Sequence, residues 1–183
     1  MKRYKILGNG GVACNGGSGQ WSLPHDGLPG DWMPTIEGIV PCKRGYHLCR
    51  AGDLVSWLNE EIYEAEGRGE FIRDDDNKDV FPEARLLRKI GTWNERTARL
   101  FAVDCAEHIL HLFEAKYPDD KRPRLAIEAA RDFANGKISE AEWAAAGEAA
   151  GTAAKAAARA AASEAAERTW QGERLMEYLE EEP

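Results

Sequence analysis

The sequence predicts an α+β chain: a small antiparallel β-rich module with one short helix over residues 1–91, then an all-α module with a long alanine-rich helix over residues 92–183. Three observations predict it. Turn signals such as Asn9-Gly10-Gly11, Asn15-Gly16-Gly17, Asp26-Gly27 and Pro29-Gly30 cut the first half into short runs. After Gly91 the apolar period changes from 2 to 3.6. Alanine, the residue with the highest helix propensity, then makes up more than half of the stretch from Ser139 to Arg168.

The runs Arg3 to Leu7, Ile36 to Val40, Tyr46 to Cys49, Ile62 to Glu66, Glu70 to Ile72 and Ala84 to Ile90 are the expected strands. Ile62-Tyr63-Glu64-Ala65-Glu66 alternates apolar and acidic side chains, as a sheet with one solvated face requires. Asp53 is a plausible cap for a short helix that brings Leu54, Trp57 and Leu58 to one face. The acidic run Asp74-Asp75-Asp76-Asn77 lacks the glycine and distal glutamate of a calcium loop and reads as a solvated hairpin turn.

In the second half, Thr92-Trp93-Asn94-Glu95 has capping-box spacing. Ala98, Phe101, Ala102, Cys105, Ile109, Leu112 and Phe113 then line one helical face that must end before Pro118. A second helix starts near Pro123, turns Ile127, Ala130, Phe133 and Ala134 inward and stops at Asn135-Gly136. Ser139 with Glu142, and Ile138 with Trp143, mark a capping box and hydrophobic staple at the start of the alanine-rich helix. Gly147 and Gly151 weaken that helix while letting a neighbour approach closely, and Gly172 is a point where it could break.

Composition narrows the function. The chain of 183 residues is 43% hydrophobic and 31% charged, enough to bury a core. It has no apolar run long enough for a bilayer, and Met1-Lys2-Arg3 leads into glycines where a secretory signal needs an apolar stretch, so a cytoplasmic protein without membrane insertion is expected. The formal charge is −8: residues 1–91 hold 12 Lys+Arg against 14 Asp+Glu, and residues 92–183 hold 12 against 18. An acidic chain is a poor counterion-releasing surface, so nucleic acid is disfavoured and a protein partner with a basic face is expected.

Asp104, His108 and His111 fall at i, i+4 and i+7 of the first long helix with Glu107 beside them, a polar stripe read as a partner-binding surface or a solvated flank. Cys14, Cys42, His47 and Cys49 have the nitrogen and sulfur chemistry that zinc prefers, though not the spacing of the common knuckles, and read more simply as core residues. The glycines at Gly8 to Gly11 follow a strand without opening a helix, so they lack the amide array that holds a phosphate. Trp21 and Trp32, flanking His25 and Asp26, are expected to lid the small sheet. No catalytic residue is assigned and no cofactor is expected.

The segment Leu100-Phe101-Ala102-Val103-Asp104-Cys105-Ala106-Glu107-His108-Ile109-Leu110-His111-Leu112-Phe113-Glu114, with Tyr117-Pro118-Asp119-Asp120, Arg122-Pro123 and Ala126-Ile127-Glu128-Ala129-Ala130-Arg131, resembles the Imm5 immunity protein family across about residues 93–168. That resemblance implies a helical module that neutralises a toxin by binding it, in a toxin-immunity or phage-host setting. The first half, through Cys42-Lys43-Arg44-Gly45-Tyr46-His47-Leu48-Cys49-Arg50 and Ala84-Arg85-Leu86-Leu87-Arg88, is similar to uncharacterised phage-associated domains. Its strand-then-helix passage from Gly45 to Leu58 also resembles small ADP-ribosyltransferases, which implies as an alternative an NAD-using enzyme with Tyr46 and His47 near its site. A third reading is an assembly protein that forms homo-oligomers through the alanine-rich helix.

Overall fold

The computed structural model describes residues 2–74, 78–146 and 165–180. The chain is α+β, and it divides into two compact units, Met1–Trp93 with Leu179–Pro183, and Asn94–Tyr178.

Among the described residues the first unit holds six strands: β1 (Arg3–Leu7), β2 (Tyr46–Leu48), β3 (Glu61–Arg68), β4 (Ile72–Asp74), β5 (Lys78–Phe81) and β6 (Glu83–Lys89). They form two antiparallel sheets, ordered β1-β3-β6 and β2-β5-β4. Tyr4 and Cys49 exchange both backbone hydrogen bonds, at 2.9 and 2.8 Å, and so join the edge of one sheet to the edge of the other. The remaining edge of β6 is covered by a loop: Gly30, Met33 and Ile36 donate to the carbonyls of Leu86, Ala84 and Pro82, each at 2.9 Å. Covering that edge removes a row of unpaired backbone groups.

Leu7, Trp21, Leu48, Tyr63, Ala65, Phe81, Ala84 and Leu86 form the core, with Leu23, Met33 and Tyr46 packed against it. Each fully buried leucine contributes roughly 1.5–3 kcal/mol relative to exposure. Gly67 of β3 is dictated by this packing, because a side chain there would enter the ring of Phe81.

Two strand expectations change, one strand appears that was not expected, and the short helix shifts. Ile36 to Val40 is loop, its backbone given to the β6 edge at Ile36 and to a turn closed by Val40 and Arg44. The expected strand Glu70 to Ile72 begins only at Ile72, and it pairs with a strand that hydrophobic pattern did not disclose, β5, whose first two residues are the buried charges Lys78 and Asp79. Asp74 stands opposite Lys78, and the rest of the acidic run lies outside the described residues. The short helix is a 3-10 turn over Ala51–Ser56, with Arg50 at its N-cap position, and Asp53 sits inside the first turn rather than before it. There the Asp53 carboxylate accepts from Arg50 Nε at 2.5 Å, so the pair ties the turn together.

The second unit holds α1 (Glu95–Lys116), α2 (Arg122–Ala134), α3, described over 140–146, and α4 (Ala165–Glu180). The cap of α1 is Asn94, two residues past the expected one. Its side chain accepts from Arg96 N and Thr97 N at 3.0 and 3.1 Å, and Thr97 Oγ1 accepts from Asn94 N at 2.9 Å, a reciprocal box. The buried face of α1 is Leu100, Phe101, Val103, Ile109, Leu110 and Phe113, broader than the expected stripe, while Ala102 and Leu112 are exposed. Pro123 lies in the first turn of α2 as expected, and Gly136, at φ 68°, follows its end. The Ser139 box forms: Ser139 N donates to Glu142 Oε2 at 2.8 Å and Glu142 N to Ser139 Oγ at 3.3 Å. Trp143 stacks on Phe133 of α2, ring centroids 4.9 Å apart, with Arg99 of α1 over both rings. α4 passes through Gly172 without a break and buries Leu175 and Leu179. Gly147 and Gly151, and with them the continuity of the alanine-rich helix, lie outside the described residues.

Candidate functional site

The polar stripe of α1 is a seam where α2 and α4 flank the helix. Asp104 is its centre. One carboxylate oxygen accepts from Arg174 Nε and Nη2 of α4 at 2.9 and 2.7 Å and from the Tyr178 hydroxyl at 2.8 Å. The other lies 3.1 Å from Arg131 Nη2 of α2. Burial alone would push the Asp104 carboxyl up. The Tyr178 and Arg174 hydrogen bonds and the nearby guanidinium charges outweigh it and hold the group below the usual range. Burial and the bond to Asp104 push the Tyr178 hydroxyl up to about 12.

One turn along, His108 stacks flat on Trp170 of α4, centroids 3.8 Å apart and planes 2° from parallel. Its Nδ1 is 2.8 Å from Glu167 Oε2, and Glu167, itself buried, also accepts from Gln171 at 3.0 Å. Glu107 faces α2, accepting from Arg131 Nη2 at 2.5 Å, yet its side chain is 54% exposed. His111 Nδ1 stays local, 3.0 Å from the His108 carbonyl, and the residue is exposed.

The four stripe residues therefore come together but divide by task. Asp104 and His108 fasten α4 to α1, whereas Glu107 and His111 present their side chains outward. Charge balance leaves the seam acidic, since Asp104, Glu107, Glu167 and Glu177 are matched by Arg131 and Arg174. Periodicity locates the stripe. It carries no signal for Arg131, Glu167, Trp170, Arg174 and Tyr178, which lie 24 to 74 residues away in sequence.

The cysteine set in the first unit does not converge. None of the cysteines forms a disulfide. Cys49 is buried beside Tyr4, with its thiol pushed up to about 12 by burial. Cys14, half-buried, donates to the Ile6 carbonyl at 3.5 Å. Cys42 is exposed, at φ 59°, and its backbone N–H donates to His47 Nε2 at 2.9 Å, so that imidazole nitrogen faces an amide. Among the described residues no three His, Cys, Asp or Glu side chains are placed to hold a metal ion. Tyr46 donates from its hydroxyl to the Pro34 carbonyl at 2.7 Å and meets Trp21 edge to face.

The glycine loop has its own anion. Asn9 N donates to Glu60 Oε2 at 2.6 Å and Gly11 N to Glu61 Oε2 at 3.1 Å, so amides that could cradle a phosphate hold the chain's carboxylates. Glu61 is buried and also accepts from Tyr63 at 2.9 Å and Lys89 at 2.6 Å. Trp21 is in the core as expected, and Trp32 is flanked by the guanidinium groups of Arg68 and Arg85 at 4.2 and 4.7 Å.

Glu61 follows the same logic as Asp104: burial raises its carboxyl, and hydrogen bonds from Lys89, Tyr63, Gly10 and Gly11 bring it below the usual range. A carboxyl depressed in the folded state contributes stability that is full above its unfolded pKa and is lost as pH falls through the folded value. Urea midpoints are therefore expected to be flat near neutrality and to fall below about pH 4. A midpoint that rises on acidification contradicts both networks.

A profile for the family described as Imm-5 like putative immunity protein matches residues 88–175, which takes in α1, α2 and the seam residues through Arg174, and leaves residues 1–87 and 176–183, with Glu177 and Tyr178, outside the match. No curated protein and no solved structure matches the chain.

Proposed function

We propose that this chain is a non-enzymatic binding protein that neutralises a protein toxin, with residues 92–183 as the recognition module and residues 1–91 as a separate accessory module. The similarity of residues 88–175 to immunity proteins carries this reading. Its chemistry fits the seam: three helices share a network of ion pairs, and the groups left outward are predominantly acidic. Glu107 and His111 contact the partner directly, while Asp104 and His108 keep the helices that frame it in register. A basic toxin surface is the complement, because opposed potentials speed encounter and fix orientation. Action in the cytoplasm is part of the proposal; among the described residues no helix is long and apolar enough to cross a membrane.

The test is to select, from a panel of bacterial protein toxins, one that this chain binds, and to measure protection of cells that express it. Glu107→Arg is expected to weaken toxin binding at least about tenfold, the scale of an interfacial charge reversal, and to lose protection. Its exposed pair with Arg131 contributes under about 1 kcal/mol, so the unfolding midpoint barely moves. Full protection by the variant contradicts the assignment of the seam.

A further inference from the structure

Glu167 of α4 is a buried carboxylate paired with a histidine. Its Oε2 lies 2.8 Å from His108 Nδ1 of α1, and its Oε1 accepts from Gln171 Nε2 at 3.0 Å. An ionised carboxylate can only accept, so Nδ1 carries the proton of that bond. Among the described residues Glu167 has no lysine or arginine partner, and His108 is the one group in its hydrogen-bonding set that can become a cation.

The other charges around His108 are engaged with one another. On α1, Asp104 holds Arg174 and Arg131, Glu107 pairs with Arg131, and His111 turns Nδ1 to the His108 carbonyl. From α2, Arg131 serves Asp104 and Glu107; from α4, Arg174 serves Asp104 and Glu177. Cys105, one turn back on α1, is neutral near pH 7, because burial and then the Glu167 and Asp104 carboxylates push its thiol up to about 12. A buried carboxylate left without a cation is costly. The Trp170 face, 3.8 Å from the His108 ring centroid and 2° from parallel, also favours a charged ring.

We propose that His108 is a proton-operated latch on α4. Charged, its ring pairs with Glu167 and holds the helix against α1; neutral, it leaves Glu167 with hydrogen bonds but no opposite charge, and α4 loosens. Histidine is the side chain that ordinarily changes charge between about pH 5 and 8, and this one, 40% exposed, exchanges protons with solvent. The direction follows from linkage: the charged histidine stabilises docking in mild acid, and that contribution is lost as pH rises through neutrality. The Asp104 and Glu61 carboxylates, held below their usual range, stay ionised across this window and add no slope. The latch belongs to the helices themselves and does not rest on a toxin partner.

Hydrogen exchange of the full chain at pH 6 and pH 8, corrected for the base-catalysed chemistry of free amides, tests it. Protection of the amides of residues 170–175 in α4 is expected to be about fivefold lower at pH 8, the margin of a fully charged over a half-charged hydrogen bond on a partly exposed ring. Protection in β3 and β6 stays level. Glu167→Gln keeps the shape and removes the buried charge, so the difference between the two pH values disappears. His108→Gln removes it as well, whereas His111→Gln leaves it in place. An α4 as protected at pH 8 as at pH 6 in the unmodified chain, a difference that survives Glu167→Gln, or one that disappears in His111→Gln, overturns the latch.

Discussion

Asp79→Ala is expected to cost about 3 kcal/mol, because it removes the carboxylate from a guanidinium that is itself largely withdrawn from water. The Asp79 side chain has no solvent exposure and that of Arg3 only 12%. The carboxylate is itself incompletely satisfied: Oδ1 has Arg73 Nε no nearer than 3.8 Å. That leaves a desolvation cost which the ion pair does not fully offset. The double replacement Arg3→Met with Asp79→Leu is therefore expected to recover more than half of the loss, as buried pairs exchanged for apolar residues often do. Urea unfolding followed by circular dichroism measures both. A double variant no more stable than Asp79→Ala contradicts the account of β5.

The second large effect is at the seam. Asp104→Ala removes the common acceptor of Arg174, Tyr178 and Arg131 in one step. The aspartate side chain is 11% exposed, but its arginines are 34% and 36% exposed and regain water, so the loss is discounted to about 2 kcal/mol. Its signature is local. Hydrogen exchange should accelerate in α4 ahead of β3 and β6, because the network ties α4 to α1 while the first unit has its own core. Uniform acceleration across both units contradicts that division. Asp104→Asn, which keeps the shape and one acceptor, should retain part of the protection.

The sequence disclosed whatever follows a simple period. Arg3 to Leu7 alternates and is a strand; Ser139 and Glu142 have box spacing and form the box. It misled where tertiary context decides. Lys78 and Asp79 follow an acidic run that reads as a solvated turn and have no apolar pattern of their own, yet both are buried in β5, stabilised by Trp57 and Arg3 from distant segments. Ile36 to Val40 has strand composition, but β6 uses this stretch as an edge cover. Thr92 looked like a cap on spacing alone, whereas Asn94 has the extended backbone and the reciprocal Thr97 that a cap needs. Val103 and Leu110 fell outside the expected face of α1 because a helix flanked on two sides buries a wider arc than one stripe. The site shows the same split, with its stripe legible on one helix and the residues that pair with it invisible to local pattern.

In the proposed function the α1 seam meets a protein partner. Photo-crosslinking from an unnatural amino acid at position 107 of the full chain, in cells expressing a toxin that the chain protects against, tests it most directly, with position 70 of the exposed loop before β4 as the comparison. A single toxin-containing adduct from position 107 and none from position 70 is the predicted result. Adducts from position 70 alone, or none from either with the toxin present and neutralised, would contradict it.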